Sequence, residues 1–240
     1  MPRKPAMSDT ARVVAQYREQ SLLYHDFCAS LSNLLVSLLD SKRFKYQISS
    51  RIKSLDSVCE KIERNAAKGK FYRQLGDVED LAGIRVVFYL ESDKRRFLSA
   101  LFKELTRDRL RVQEHHKERG YRSLHILARF GSKRLALSEY RRFAGLKCEI
   151  QLTSALYHAW SEVEHDILYK RDHRQNPLDG AAVLTLKREL DEAMAGYIQP
   201  ASEILEAVAR KVRRGGTHRA LGCCPARSDG SMDGSPRRRT

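Results

Sequence analysis

Two short apolar runs, each carrying one carboxylate, set the terms for any fold of this chain. One is Glu79-Asp80-Leu81-Ala82-Gly83-Ile84-Arg85; the other is Cys148-Glu149-Ile150-Gln151-Leu152-Thr153. Both have the composition of short strands. Asp80 stands at the entry to the first, and Glu149 lies within the second, 69 residues later, so only a fold can bring them together. A carboxylate among buried neighbours is costly unless it is paired. Two carboxylates at strand ends also make a natural Mg²⁺ site, because a hard dication takes oxygen ligands and leaves room for substrate phosphates.

The surroundings are rich in cations. The 240 residues carry a formal net charge of +15. Residues 210–240 hold nine Arg or Lys against two Asp, and the first 209 residues keep +8. A basic body suits a polyanionic partner, a nucleoside triphosphate or RNA, and charge alone does not choose between them. No apolar run approaches the roughly 20 residues that span a bilayer, and no signal-peptide core follows the basic start Met1-Pro2-Arg3-Lys4-Pro5. These features make the cytoplasm the expected compartment, with no membrane partner. The five cysteines (28, 59, 148, 223 and 224) are odd in number and irregular in spacing, as free thiols are. His218, Cys223 and Cys224 lack a fourth zinc ligand at a suitable spacing.

Periodicity divides the chain into a disordered lead (1–8), one domain (9–213) with helices at both ends, and a basic disordered tail (214–240). Leu22, Leu23, Phe27, Leu31, Leu34, Leu35 and Leu38 predict a helix over 9–42. A strand is expected over 46–53, then a helix over 54–67 capped by Ser54 and closed by Gly69. Strands over 84–90, 110–114, 123–130 and 147–153 follow, with a helix over 93–107 between the first two. Residues 132–146 show no clear period. Helices over 155–170 and 181–213 complete the order, the last interrupted near Gly196 or Pro200. The predicted class is α/β (α+β): a mixed sheet of about five strands flanked by helices. Neither GxGxxG nor a Walker-type loop is present, so phosphate binding would fall to side chains and metal.

Several groups could serve. Arg51 and Lys53 share a strand face by period two and read either as an exposed basic edge or as a phosphate clamp. Lys117-Glu118-Arg119-Gly120-Tyr121-Arg122-Ser123-Leu124-His125 combines cations with one aromatic surface for stacking, or is a polar loop. His158, Glu162 and His165, at i, i+4 and i+7, form a polar helix stripe that resembles a metal-binding one but is not HExxH.

The segments Ser50-Arg51-Ile52-Lys53-Ser54, Asp80 through Arg85, Gly120 through His125, Glu149 through Leu152, and Trp160 through Glu164-His165 to Tyr169-Lys170 resemble the synthetase domain of the RelA/SpoT alarmone family, especially its small single-domain members. They occur in family order over roughly residues 45–170. The resemblance implies a nucleotidyltransferase-like five-stranded sheet. It also implies transfer of the β,γ-pyrophosphate of ATP to the 3′-hydroxyl of GDP or GTP, with release of AMP. On that likeness Asp80 would hold Mg²⁺, and Glu149 would share the metal or take the hydroxyl proton. Arg51 and Arg85 would sandwich adenine, with Lys53 on the phosphates. Tyr121 would stack on the acceptor guanine, Lys117 and His125 would contact acceptor or transferring phosphates, and Gln151 would line the pocket. Two departures fall on the acceptor side: Glu118-Arg119 where the family often has Pro-Asn or Pro-Ser, and Thr153-Ser154 where it commonly has Arg-Thr. Toxic small members place pyrophosphate on the 3′-CCA end of tRNA, which makes tRNA the alternative acceptor and an antitoxin protein a possible partner. A catalytically dead nucleotide- or RNA-binding module is the third reading. The apolar faces of the terminal helices suit a homo-oligomer, or closure of the chain's own core.

Overall fold

The computed structural model describes residues 9–105, 109–116, 122–168 and 180–219. The expected lead 1–8, the tail beyond 219, and Tyr169-Lys170 lie outside them. In chain order the elements are α1 (Asp9–Ser41), β1 (Tyr46–Ile52), α2 (Leu55–Ala66), β2 (Ala82–Phe88), α3 (Glu91–Glu104), β3 (Leu110–His116), β4 (Arg122–Ala128), α4 (Ser132–Leu135), β5 (Cys148–Ser154), α5 (Ala155–Leu168), α6 (Gly180–Ala193) and α7 (Gln199–Arg219).

The expected mixed five-stranded sheet is present, in the order β1-β2-β5-β4-β3. The central pair, β2 and β5, is parallel, with Gly83 opposite Glu149 and Arg85 opposite Gln151. The outer pairings are antiparallel. Alternation gives the sheet two different faces. Ala82, Ile84, Val86 and Phe88 of β2, Cys148, Ile150 and Leu152 of β5, and Leu124, Ile126 and Ala128 of β4 are buried on one face. They join the core residues Phe27, Leu31 and Leu35 of α1 and Phe97 and Leu101 of α3. The other face carries Arg51, Gly83, Arg85, Glu149, Gln151 and His125, and α5 packs at one end of β2 and β5.

Sequence punctuation explains most boundaries. Ser54 Oγ accepts the Ser57 amide and starts α2. Gly69, at φ 75°, closes it: Gly69 N–H donates to Ala66 O and Lys70 N–H to Asn65 O, both at 2.9 Å. α1 ends with the same bonding pattern, but Arg43 takes the left-handed position at φ 54°. By length and composition α1 could cross a membrane, its best window having a mean hydropathy of 1.3, against the sequence expectation that no run comes close. Here its apolar stripe packs against β1 and β2.

The ambiguous stretch 132–146 holds α4 and a single tight turn at Arg141–Phe143, fixed by packing among Phe130, Tyr140 and Phe143. The expected interruption near Gly196 and Pro200 is a wide helical turn over Met194–Ile198, in which Gln199 N–H reaches Met194 O. Pro200 has no N–H to offer the Gly196 carbonyl, so an ordinary turn would leave that acceptor unpaired. Met194 is buried there against Tyr157 and Trp160 in a small second core. Trp160 Nε1–H donates to Leu190 O at 2.9 Å. α7 continues to Arg219, past the expected end at 213, and leaves Ile204, Val208 and Val212 exposed as a stripe.

Candidate active site

Asp80 lies just before β2 and Lys53 just after β1, and Lys53 N–H donates to Leu81 O at 2.9 Å. This backbone bond places the Lys53 side chain on Asp80, with Nζ 3.1 Å from Oδ2. Lys61, from α2, puts its Nζ 2.5 Å from Oδ1. Burial pushes the Asp80 carboxyl up, but the two ammonium groups outweigh it and hold the pKa below its ordinary value.

Glu149 projects from β5 on the same face. His125 Nδ1 lies 3.0 Å from Glu149 Oε1, and Gln151 Nε2–H donates to Oε2 at 2.8 Å. Burial raises this pKa and the Asp80 charge adds to that, yet the His125 and Gln151 contacts bring it below the ordinary value. Glu149 is therefore ionised at neutral pH, and the pairing that a carboxylate among buried neighbours requires is supplied by a histidine and an amide.

Arg85 extends the chain of contacts. Its Nε–H donates to Gln151 Oε1 at 3.4 Å, and Nη1–H to Glu162 Oε1 of α5 at 2.6 Å. Arg51 stands opposite Gly83, two residues along β2 from Arg85 on the same face. Residues diagonal in this way lie about 7–8 Å apart, with their Cβ atoms somewhat closer, and two long side chains there can splay to take a flat ring at about 3.5–4 Å on each side. Gly83 lies against the Arg51 stem: a Cβ there would lie 3.8 Å from Arg51 Cγ, an ordinary contact, so only a side chain larger than alanine would crowd the arginine.

These groups line one cleft with two lobes. Asp80, Glu149, Gly83, Arg51 and Arg85 line a lobe of about 290 Å³. Arg51, Arg85, Gln151 and Glu162 are shared with a lobe of about 440 Å³ that reaches Ser123, His125, His158 and His165. A larger hollow of about 510 Å³ beside α3 and α4 shares no lining residue with either lobe and has no carboxylate pair.

Of the residues singled out from sequence, Asp80, Glu149, Arg51, Lys53, Arg85, His125 and Gln151 converge on this cleft. Lys117 and Tyr121 lie outside the described residues. Lys61 was missed, because a lysine on a short amphipathic helix carries no signal that separates a site from a solvated face. The stripe His158, Glu162 and His165 lines the larger lobe. Among the described residues no group of three or more His, Cys, Asp or Glu is arranged to hold a metal. The Asp80 and Glu149 pair is a different donor set: two ionised carboxylates facing a cleft open to phosphates, which fits the few protein ligands Mg²⁺ takes.

Residues 50–174 match the family described as a region found in RelA / SpoT proteins. A GTP pyrophosphokinase of Bacillus subtilis, YwaC, is 24% identical over 202 residues, 79% of this chain and 94% of the relative. The solved structure of small alarmone synthetase 1 from Bacillus subtilis bound to its product pppGpp superposes with a TM-score of 0.61 at 22% identity, covering 81% of this chain and 99% of that one. The same synthetase bound to AMPCPP gives 0.55 at 19% identity, covering 82% and 99%.

Proposed function

Because the chain belongs to the RelA/SpoT family, we infer that it is an ATP-dependent pyrophosphokinase that makes (p)ppGpp from GDP or GTP. The observation that carries this reading is the meeting of Asp80 and Glu149 in one cleft, ringed by Arg51, Arg85, Lys53 and Lys61. The names of its relatives, GTP pyrophosphokinase and small alarmone synthetase, support it.

The acceptor's 3′-oxygen attacks the β-phosphorus of ATP. The bond from that phosphorus to the α,β-bridging oxygen breaks, AMP leaves, and the hydroxyl proton passes to Glu149. Arg51 and Arg85 take the adenine between their planes. Lys53 and Lys61 turn from Asp80 to the phosphates, where charge spread over the migrating group rewards fixed cations. Asp80 and Glu149 would hold Mg²⁺, whose chemistry is to neutralise charge on the β,γ-phosphates. His125 Nδ1, at 3.0 Å, orients Glu149. Lys117 and Tyr121 are assigned to the acceptor's phosphates and base. A cytoplasmic setting, where both nucleotides are supplied, belongs to the same reading. Self-association through the Ile204, Val208 and Val212 stripe is part of it too, and light scattering on the V208D variant tests it.

The test uses γ-³²P-ATP with GDP, GTP and bulk tRNA in parallel. Label in a guanine nucleotide, lost in E149Q, is expected. Label only in tRNA would move the acceptor to the 3′-CCA end, with an antitoxin as the matching partner. No transfer to any acceptor would leave a nucleotide-binding module and overturn the enzymatic reading.

A further inference from the structure

We propose that Glu162 is a positioning residue that holds the Arg85 guanidinium so that its flat face meets the nucleotide base and its forked edge is kept off the phosphates. The proposal rests on the reading that Arg85 binds ATP. Two bonds fix the plane. Glu162 Oε1 accepts Nη1–H at 2.6 Å from α5, and Gln151 Oε1 accepts Nε–H at 3.4 Å from β5. A planar cation held at two nitrogens by two different elements loses much of its freedom to swing or spin, the 2.6 Å contact to Glu162 being the stronger of the two. Left alone, an arginine has large rotamer freedom and grips phosphate bidentately through the same N–H edge that Glu162 occupies.

The surroundings agree. The Glu162 side chain is 55% exposed, so its own burial does not demand a partner, and the effect of the contact falls on Arg85, at 32%. His158 Nδ1 lies 3.7 Å from the same Glu162 oxygen. Burial first, then the Arg85 charge, push His158 below its ordinary pKa, so at neutral pH it is uncharged and leaves the carboxylate to Arg85. A carboxylate facing a polyphosphate cleft is unfavourable by itself, and sparing Arg85 for stacking gives it a purpose. The helix stripe that resembles a metal site in sequence thus acts through an arginine.

The experiment compares E162A, E162Q, R85A and E162A/R85A in the full chain. It reads KM for ATP, KM for GDP, kcat, and inhibition by inorganic tripolyphosphate. In E162A the KM for ATP should rise roughly 2- to 10-fold, the cost of ordering one long side chain on binding. The kcat and the KM for GDP should stay within about 2-fold, and tripolyphosphate should inhibit more strongly by a similar factor, because the freed fork now takes phosphate. E162Q, which keeps an acceptor oxygen, should recover part of the loss. In the R85A background E162A should add nothing. An unchanged or lower KM for ATP in E162A, or a loss that persists in the R85A background, overturns the proposal while the Arg85 reading stands. An R85A enzyme with unchanged KM for ATP removes the Arg85 reading, and the proposal with it.

Discussion

Gly83 should trade stability against nucleotide binding in a graded way. It is the second residue of β2, directly opposite Arg51. Gly145 and Gly69 hold positive φ, but Gly83 does not, so its backbone accepts any L-residue. In G83A the new Cβ meets Arg51 Cγ at 3.8 Å and Glu149 O at 3.9 Å, ordinary contact distances. Alanine should therefore stabilise the fold by roughly 0.5–1 kcal/mol, through the entropy glycine loses on ordering. For a domain of this size each kcal/mol raises Tm by about 2–4 °C. Valine adds methyls about 1.5 Å beyond Cβ. One aimed at Arg51 would come well inside the ~3.5 Å contact limit, so the arginine stem must move by about 1 Å. The G83V fold gains again from β propensity, on a scale of about 1 kcal/mol. It loses one wall of the proposed base clamp, worth about 0.5–2 kcal/mol for a cation over a ring, or roughly 2- to 30-fold in affinity. Calorimetric Tm and titration of a non-hydrolysable ATP analogue read the two effects separately. The order expected is G83V above G83A above wild type in Tm, with affinity falling only in G83V. A G83V protein that binds the analogue as tightly as wild type would refute the placement of Arg51. An equal loss in G83A would show that backbone freedom, and not crowding, matters.

Lys61→Met should keep the fold and lower kcat at saturating ATP by roughly 10²-fold, the usual effect of losing one fixed donor at developing charge; a change under about 2-fold would take Lys61 out of the chemistry. Arg43→Gly should raise stability by about 0.5–1 kcal/mol, because glycine adopts the left-handed C-terminal position of α1 without the ~1–2 kcal/mol steric cost, and urea unfolding would show it. The folded state holds Asp80 and Glu149 below their ordinary values of 3.8 and 4.5, so the unfolded chain binds more protons in acid. Their contribution is full above about pH 5.5 and is lost progressively as pH falls below those ordinary values toward the lower folded-state ones. The Tm of wild type should accordingly drop more between pH 6.5 and pH 3.5 than that of D80N/E149Q, and parallel curves would contradict it.

The strands were legible because over the first half of β2 and of β5 one face of the sheet is buried and the other is only half-buried. Ile84, Val86, Ile150 and Leu152 alternate with Arg85, Glu149 and Gln151, and a half-buried strand writes that alternation into sequence. Asp80 and Glu149 were legible because a lone carboxylate beside buried residues demands an explanation. Periodicity reports which residues share a face, not what the face meets, so His158, Glu162 and His165 read as a metal stripe although Glu162 meets Arg85. Residues 132–146 gave no period because aromatic packing around Phe130, and not a regular element, fixes them. The wide turn at Met194–Ile198 was visible only as an expected break, since Gly196 and Pro200 announce a disturbance but not its form.

The parallel pairing of β2 with β5 also has a bearing on biosynthesis. At about 5–20 residues per second a ribosome polymerises Glu149 some 3–14 s after Asp80. Throughout that interval the nascent polypeptide already carries the lysine-flanked aspartate, while β2 lacks its inner neighbour. A chain that ends before Cys148 therefore lacks Glu149 and leaves the inner edge of β2 unpaired, the kind of edge that templates pairing with another chain.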